Sequence, residues 1–349
     1  MPRVIGIDPG TVSFDLCGLD GGSLWLDRSL PTREALQDPN ALIELLRSAG
    51  PVDLIAGPSG YGLPLIPAGS ATPDDLQLAF LPDPNGGGLG GLTRLARGFA
   101  EAELPLLYTP GVIHLPTVPR HRKRNRIDLG TADKVALAAL AIWDQIHRAA
   151  PAEDPARASL ILLELGGAFT AALAIDQGQI VDGIGGTGGP PGWMSGGAWD
   201  GEVAWLAGPV TKAMLFRGGP GEAGAPETVG LEAYIEGAAK AVLALTGSVP
   251  NPREILLSGR HAGDEDVSAR LRPRLEAVAP VRRLLGFARE ARQGAQGAAL
   301  MADGLAGGSA SRMVEQLRIR EASGTVLDYL TVITPTEARR GLGMQGSRE

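Results

Sequence analysis

The stretch Val4-Ile5-Gly6-Ile7-Asp8-Pro9-Gly10-Thr11 decides the fold of this chain, because its pattern occurs again at Leu160-Ile161-Leu162-Leu163-Glu164-Leu165-Gly166-Gly167. In each copy an apolar strand runs into an acid-x-Gly turn, returns as a second strand and reaches an Asp-x-Gly turn, at Asp20 or Asp176. The first acid lies twelve residues before the turn acid in both copies. Two such hairpins, one in each half of the chain, predict a duplicated domain with a cleft between the halves.

The residues of the two turns are typical of anion and metal binding. Gly10, Gly166 and Gly167 have no Cβ, so their backbone N–H groups can approach phosphate oxygens closely. Asp8 and Glu164 end strands that face the cleft, where they could hold Mg²⁺ directly or through water. A single Asp-x-Gly turn is common, so the interpretation depends on the two copies having matched spacing.

With these turns the chain resembles the sugar kinase, actin and heat-shock chaperone superfamily of ATPases. The segments Asp8-Pro9-Gly10-Thr11 and Glu164-Leu165-Gly166-Gly167 are similar to its two phosphate motifs, and Leu256-Leu257-Ser258-Gly259-Arg260 is similar to its adenosine motif. The segments Gly57-Pro58-Ser59-Gly60-Tyr61-Gly62-Leu63-Pro64 and Asp128-Leu129-Gly130-Thr131-Ala132-Asp133-Lys134 resemble a branch often labelled butyrate kinase. The resemblance covers about residues 1–305. The second phosphate motif usually begins with Asp, whereas this chain has Glu164.

The resemblance implies an α/β fold of two duplicated actin-like (ribonuclease H-like) domains with a nucleotide cleft between them. ATP and Mg²⁺ are the implied cofactors, with Asp8 and Glu164 holding the metal and Asp8, Glu164 and Asp133 as catalytic residues. The implied activity is phosphoryl transfer to a small acceptor, with a short carboxylic acid as the first expectation. The residues expected to contact the nucleotide are Gly10, Thr11, Gly166, Gly167, Ser258 and Gly259.

Other segments suggest where the acceptor binds. The run Arg120-His121-Arg122-Lys123-Arg124-Asn125-Arg126 could grip an anionic acceptor through Arg122 and Arg124, or be a solvated loop, or bind RNA. Ser59 and Tyr61 could line the acceptor pocket or form a structural turn. The glycine-rich segment 183–189 lacks the Lys-Ser/Thr ending of a P-loop, but its Gly186 could approach a phosphate.

Asp133 opens a predicted long helix, where an acid is favoured by the helix dipole alone. Alternatively, Asp133 faces the cleft as a general base or substrate ligand. A carboxylate acceptor is already ionised and needs no base, whereas a hydroxyl acceptor does. The Gly-x-Ala-Asp-Lys segment is similar to a Gly-Ala-Asp-Arg segment of one pantothenate kinase type, but the residues alone do not choose between these roles.

Length, charge and cysteine count limit the class of protein. The chain has 349 residues, enough for two domains with cores of their own. A net charge of −7 argues against a general nucleic-acid surface. Cys17 is the only cysteine, and the N-terminus lacks an apolar signal core, so we expect a cytoplasmic protein without membrane segments. Its expected partner is a small-molecule acceptor, and a homodimer stays open.

Periodicity and turn residues predict the organisation of the chain. We expect an N-terminal domain over 1–150 with an insertion at about 58–100, a C-terminal domain over 157–305, and a helical extension and tail over 306–349. Pro39 is expected to break the first helical region. An ATP-dependent kinase is the predicted function. The alternatives are a nucleotide sensor or scaffold without kinase activity, and group transfer through an ATP-activated intermediate.

Overall fold

The computed structural model describes residues 1–57, 59–82, 90–148, 153–222 and 228–344. The first half of the chain contains the elements β1 (Arg3–Pro9), β2 (Ser13–Asp20), β3 (Ser23–Pro31), α1 (Thr32–Gln37), α2 (Pro39–Ser48), β4 (Leu54–Gly57), β5 (Ile66–Pro67), α3 (Pro73–Phe80), α4 (Gly90–Glu101), β6 (Leu106–Tyr108), α5 (Arg120–Lys123) and α6 (Ala132–His147). The second half contains β7 (Leu160–Leu165), β8 (Thr170–Asp176), β9 (Gln179–Ile184), α7 (Gly201–Ala207), α8 (Thr228–Leu245), β10 (Glu254–Ser258), α9 (Glu265–Leu275), β11 (Val281–Arg283), α10 (Gln293–Leu305), α11 (Ser311–Leu317) and α12 (Pro335–Gly341).

The two halves build sheets of the same topology. The first sheet has the order β3-β2-β1-β4-β6-β5, and the second has the equivalent order β9-β8-β7-β10-β11. In each, the first three strands form an antiparallel meander and the next two run parallel to its first strand. A register shift interrupts the hairpin ladder after Gly18 and again after Ala174, ten residues after the acid in each copy. The predicted duplication is therefore seen in the order of the strands, in their directions and in the position of the register shift.

Alternating side chains divide the molecule into layers. On β1, Ile5 and Ile7 face an outer core with α2 and α4, whereas Val4 faces a central core. On β7, Leu160 and Leu162 face the same central core. The side chains between them face an outer core with α8 and α9. Because α6 and α10 fill the central core, the order is helices, sheet, two helices, sheet, helices.

Helix α10 comes from the second half of the sequence but packs against strands of the first sheet. Glycines allow this close approach: a methyl group added at Gly6 of β1 would lie 2.1 Å from the backbone nitrogen of Ala299. One added at Gly297 would lie 1.8 Å from the carbonyl oxygen of Ala136 in α6. The predicted domain boundary at about residue 150 stays a prediction. The layers of the fold do not follow this boundary, because α10 comes after it in the sequence but packs on the first sheet.

Most predicted elements are found, and the differences have local causes. Helix α2 begins at Pro39, with Asp38 accepting a hydrogen bond from the N–H of Ala41, so the predicted break is confirmed. The insertion contains α3, which begins with a capping box between Thr72 and Asp75, and α4. Residues 83–89 of the insertion and 149–152 between the two halves lie outside the described residues.

The C-terminal segment, predicted as a helical extension and tail, contains regular helices. Thr334 and Glu337 form a capping box at the start of α12. Cys17 is buried on β2, and burial raises the pKa of its thiol to about 12. Across the residues that the structure describes, no helix has both the length and the apolar character needed to span a bilayer.

Candidate active site

A cleft of about 920 Å³ opens at the ends of β1 and β7 and is lined by both halves of the chain. The first half contributes the turn after β1, the segment after β4 and the start of α6. The second half contributes the turns after β7 and β10 and the segment before α10. The predicted site residues that line this cleft are Asp8, Gly10, Thr11, Ser59, Tyr61, Asp133, Glu164, Gly166, Gly167, Gly186 and Gly259.

The two glycine turns are tight and face each other. A methyl group added at Gly10 would lie 2.9 Å from the carbonyl oxygen of Ser13, and the N–H of Gly166 donates to the carbonyl oxygen of Phe169 at 3.0 Å. A methyl group added at Gly167 would lie only 3.2 Å from Oγ1 of Thr11. The turn of one hairpin therefore lies next to the turn of the other, with no room for side chains between them.

A third turn approaches the same place from β10. Gly259 follows this strand with φ at +86°, a conformation that favours glycine, and an added methyl group would lie 2.5 Å from the carbonyl oxygen of Leu165. The next residue, Arg260, lines the cleft, and its Cδ would be 3.9 Å from a methyl group added at Gly167. Ser258 is only 1% exposed and does not line the cleft. Of the predicted adenosine motif, only Gly259 and Arg260 therefore line it.

Three carboxylates and one ammonium group form the floor of the cleft. Lys134, in the first turn of α6, donates to Asp133 and to Oε2 of Glu164, the latter at 2.8 Å. The hydroxyl of Thr131 also donates to Asp133. Asp8 lies close enough to influence, and be influenced by, all three charged groups. The ammonium of Lys134 thus joins the first half of the chain to the second across the cleft floor.

Burial and charge together set the ionisation of this cluster. Burial raises the pKa of Asp8 well above its ordinary value, and the neighbouring charge of Asp133 raises it further. Burial also raises the pKa of Glu164. Burial alone would raise the pKa of Asp133 and lower that of Lys134, but their mutual attraction outweighs it, so the pKa of Asp133 is lowered and that of Lys134 is raised. Asp133 and Lys134 are therefore held as ions.

The pairing of Asp8 and Glu164 around a metal ion stays a prediction. Glu164 is engaged by Lys134, and among the described residues no group of three His, Cys, Asp or Glu side chains is arranged to hold a metal ion. The three carboxyl groups nevertheless outnumber the one ammonium that contacts them, so the cleft floor has an excess of acidic groups. A divalent cation bound next to Asp8 would compensate that excess.

The glycine-rich segment after β9 is fixed to the first half by Asp128. Its Oδ2 accepts the backbone N–H and the hydroxyl of Thr187, both at 3.0 Å, and its Oδ1 accepts the N–H of Gly130. A methyl group added at Gly185 would lie 1.8 Å from Oδ1 of Asp128, so this contact needs glycine. The buried carboxylate thereby positions Gly186 on the wall of the cleft.

Ser59 and Tyr61 line the cleft, and the hydroxyl of Ser59 already has partners. The hydroxyl of Ser59 accepts the N–H of Thr109 at 2.7 Å and donates to the carbonyl oxygen of Gly57. The ammonium of Lys212 lies 5.2 Å from the ring centroid of Tyr61. Burial raises the pKa of Tyr61, so its hydroxyl stays protonated. Both residues join walls of the cleft as well as lining it.

The structure does not bring Arg122 and Arg124 to the cleft, in contrast to the predicted acceptor grip. Arg122 donates to the carbonyl oxygen of Val181 at 2.8 Å and lies 3.6 Å from Asp182, both on β9, and Arg124 is exposed. Neighbouring residues also have structural contacts: the ammonium of Lys123 is buried against the carbonyl oxygen of Leu115. The basic run is therefore used in packing between segments and not in the cleft.

Sequence reasoning missed several cleft residues. Lys134 and Asp128 belong to a quoted motif, but nothing local shows that one crosses to Glu164 and the other to Thr187. Arg260 is the last residue of the predicted adenosine motif, but it was not among the residues expected to contact the nucleotide. Four arginines line the end of the cleft beside the β10 turn and the segment before α10: Arg260, Arg283, Arg289 and Arg292.

Comparison with known proteins agrees with this architecture. A family model described as "Protein of unknown function (DUF1464)" matches residues 6–332. No curated protein is similar enough in sequence to match.

Solved structures show the fold. The propionate kinase from Francisella tularensis subsp. tularensis SCHU S4 aligns with a TM-score of 0.56 at 13% identity, over 85% of this chain and 99% of that chain. The acetate kinase from Porphyromonas gingivalis has a TM-score of 0.54 at 13% identity, over 80% and 88%. The acetate kinase from Entamoeba histolytica has a TM-score of 0.53 at 12% identity, over 79% and 87%. The predicted α/β fold of two actin-like halves is therefore confirmed.

Proposed function

The chain belongs to the DUF1464 family, whose description assigns no activity, and from its cleft we propose that it transfers the terminal phosphoryl group of Mg-ATP to a small-molecule acceptor. The acceptor that the site supports best is a carboxylate. The observation that carries the proposal is the approach of the two glycine turns, with Gly167 next to Thr11 directly above a cluster of acids. Backbone N–H groups in such turns bind phosphate oxygens.

The cleft has the parts that ATP requires. Gly10 and Gly167 would surround the phosphates, whereas the N–H of Gly166 is used within its own turn by the carbonyl oxygen of Phe169. A side chain at any of the three glycines would meet the neighbouring backbone or Thr11. Gly259 and Arg260 would contact the nucleoside side, where Arg260 reaches back towards Gly167. In phosphoryl transfer the protein acts mainly by positioning and by compensating charge, and these residues supply both.

Mg²⁺ fits the site through Asp8 and the surplus of negative charge around it. Asp8 has a raised pKa because it is buried among Asp133, Asp15 and Glu164, and a cation would favour its ionised form. When bound, Mg²⁺ would neutralise charge on the phosphates. Glu164 is not proposed as a direct ligand, because Lys134 engages it.

The surroundings of Asp133 support the choice of a carboxylate acceptor. A hydroxyl acceptor needs a general base, and the pKa of an effective base lies near the working pH. Asp133 accepts from Thr131 and Lys134, and its pKa is lowered, so it removes a proton poorly. A carboxylate needs no deprotonation. The names acetate kinase and propionate kinase, carried by structures of the same fold, are consistent with a short carboxylic acid.

The test is a panel of short carboxylic acids and alcohols with ATP and Mg²⁺. ADP formation should depend on the acid, and hydroxylamine should trap an acyl phosphate as the hydroxamate. Before turnover is measured, calorimetry should detect Mg-ATP binding, and thermal stability should rise by about 2.7 kcal/mol at a hundredfold excess over Kd. Acceptor-dependent ADP without hydroxamate would point to a hydroxyl acceptor. ATP binding without any acceptor-dependent ADP would favour a sensor or scaffold, and absence of binding would refute the proposal.

A further inference from the structure

Lys134 stands where helix electrostatics disfavour it. It lies in the first turn of α6, where the helix dipole favours negative side chains and disfavours an ammonium. Its side chain is only 16% exposed, so desolvation adds a second cost. Two carboxylates outweigh both costs, because Asp133 and Glu164 together raise the pKa of Lys134. The position therefore places a permanently charged ammonium inside the cleft.

The partners of Lys134 come from opposite sides of the cleft. Asp133 is the preceding residue of α6, whereas Glu164 belongs to β7 and lies two residues before Gly166. The turn that would hold the phosphates thus begins at the residue that Lys134 contacts at 2.8 Å. A phosphoryl group seated between the glycine turns would be a third anion within reach of the same ammonium.

On the basis of the proposed function, we infer that Lys134 is a catalytic residue whose ammonium exchanges Glu164 for the phosphoryl group being transferred. One anion replaces another, and Asp133 stays bound throughout, so the ammonium is never left without a negative partner. In the transfer an acceptor oxygen forms a bond to the terminal phosphorus while the bond from that phosphorus to the bridging oxygen breaks. The electron pair of that bond leaves with ADP, and no proton moves from Lys134.

The exchange gives Glu164 a specific purpose. Without a nucleotide, Glu164 holds the ammonium in position, and with one it gives the ammonium up. This differs from a metal-ligand role, because Glu164→Gln would then free Lys134 for phosphate instead of removing a magnesium ligand. ATP binding measured without divalent cation separates the two roles.

The experiment compares Lys134→Met, Lys134→Arg and Glu164→Gln with the parent, and uses Lys240→Met as the control. Lys240 is an exposed lysine of α8 that pairs with Glu236 far from the cleft floor. Turnover by Lys134→Met should fall by about 10²-fold or more, as for loss of one preorganised donor to a transition state. Its metal-free ATP affinity should fall by roughly 10-fold or more, as for loss of a charge-assisted contact. Lys134→Arg should recover part of both.

A binding affinity that increases in the variant separates a catalytic role of Lys134 from a purely structural one. Removing the ammonium leaves three carboxylates uncompensated, so Lys134→Met should bind Mn²⁺ more tightly than the parent in the absence of nucleotide. Glu164→Gln should bind metal-free ATP at least as tightly as the parent. Calorimetry and Mn²⁺ paramagnetic resonance measure these constants, and circular dichroism confirms that each variant is folded.

Several outcomes would overturn the inference. One is turnover by Lys134→Met within threefold of the parent, and another is lost turnover with unchanged ATP and Mn²⁺ affinities. If Lys134→Met does not fold, Glu164→Gln decides: metal-free ATP binding at least as tight as in the parent supports the exchange, and weaker binding refutes it. A parent protein that binds no ATP would instead refute the proposed function, which the same calorimetry shows before any variant is compared.

Discussion

Asp27 of β3 connects the first sheet to the segment that leads into α10. Its two carboxylate oxygens accept the backbone N–H groups of Arg289 at 2.9 Å, Glu290 at 3.1 and 3.2 Å, and Ala291 at 2.7 Å. That segment lines the cleft, and α10 begins just after it. Replacing Asp27 with Ala should therefore destabilise the protein and loosen one wall of the cleft.

The expected magnitude follows from the burial of the three donors. Ala291 is 3% exposed, so its N–H would lose a charge-assisted hydrogen bond worth about 1.5–3 kcal/mol. Arg289 and Glu290 are exposed, and water can replace Asp27 there, so the two together add less than about 1 kcal/mol. Asp27→Ala should thus lower the free energy of unfolding by about 2–4 kcal/mol.

The loss should depend on pH in a defined direction. Burial alone would raise the pKa of Asp27, but the three backbone donors and the charge of Arg289 lower it below its ordinary value. A carboxyl whose pKa is lowered on folding stabilises the protein above the unfolded-state pKa of about 3.9, and this stabilisation disappears as the pH falls through the folded-state pKa. The difference between parent and Asp27→Ala should therefore be constant near neutral pH and shrink below about pH 4.

Urea denaturation at several pH values measures this difference. Asp27→Asn keeps the shape and one acceptor oxygen, so it should lose part of the stability and most of the pH dependence. Asp20→Ala is the matched control, because Asp20 is an exposed acid at the end of β2. A loss below about 0.5 kcal/mol, the usual effect of a surface substitution, would refute the reasoning. A pH-independent loss would show that packing and not the carboxylate matters.

Three further predictions test other parts of the structure. Asp8→Asn should lower turnover by about 10²-fold, or roughly 3 kcal/mol of barrier. The apo protein should stay at least as stable in urea, because the substitution removes one of several crowded acids. A loss of both turnover and stability would contradict this prediction. The double variant Arg122→Ala and Arg124→Ala should leave ATP and acceptor constants within twofold, since neither residue lines the cleft, and a tenfold loss for the acceptor would contradict it. Gly297→Ala should lower the free energy of unfolding in urea by about 1–3 kcal/mol, although alanine favours helices, because its methyl group would meet the backbone of α6. The control Gly341→Ala, where an added methyl group would lie in open space, should be neutral or stabilising. Equal effects at both sites would contradict the packing argument.

The hairpins could be predicted because their signals are local. Short apolar runs define β1, β2, β7 and β8, and glycines mark the turns between them, so neither strand identity nor the duplication needs information from distant residues. The matched register shifts after Gly18 and Ala174 were not foreseen, since a bulge depends on how two strands twist against each other.

The placement of α10 shows what local signals do not contain. Its packing on the first sheet depends on Gly6 and Gly297, which are far apart in the sequence and whose roles become visible only once the two elements meet. The helices of the insertion were missed for another reason. Pro73 indicates a turn in isolation, but after a capping Thr72 it occupies the first helical position, where proline is favoured.

Charge misled the interpretation of the basic run. Clustered basic residues usually form a solvated or ligand-binding face, but here Lys123 is buried with its ammonium on a backbone carbonyl. Asn125, in the left-handed region at φ +53°, accepts the N–H groups of Thr331 and Val332. These partners lie about 200 residues later in the chain. No spacing within the run could reveal them, and the same limit hid the contact between Lys134 and Glu164.

The floor of the cleft combines backbone that is fixed with side chains that can change partner. A methyl group added at Gly294, in the first turn of α10, would lie 2.2 Å from Oδ2 of Asp8, so the positive end of that helix lies against the carboxylate. Helix α10 in turn contacts α6 backbone to backbone at Gly297, three residues along the same helix. Because these contacts leave no space for a side chain between the elements, we expect the floor of the cleft to move little if a nucleotide binds. Under the proposed exchange, the adjustment to the charge of the nucleotide would come from Lys134, which has both the charge and a partner that it can give up.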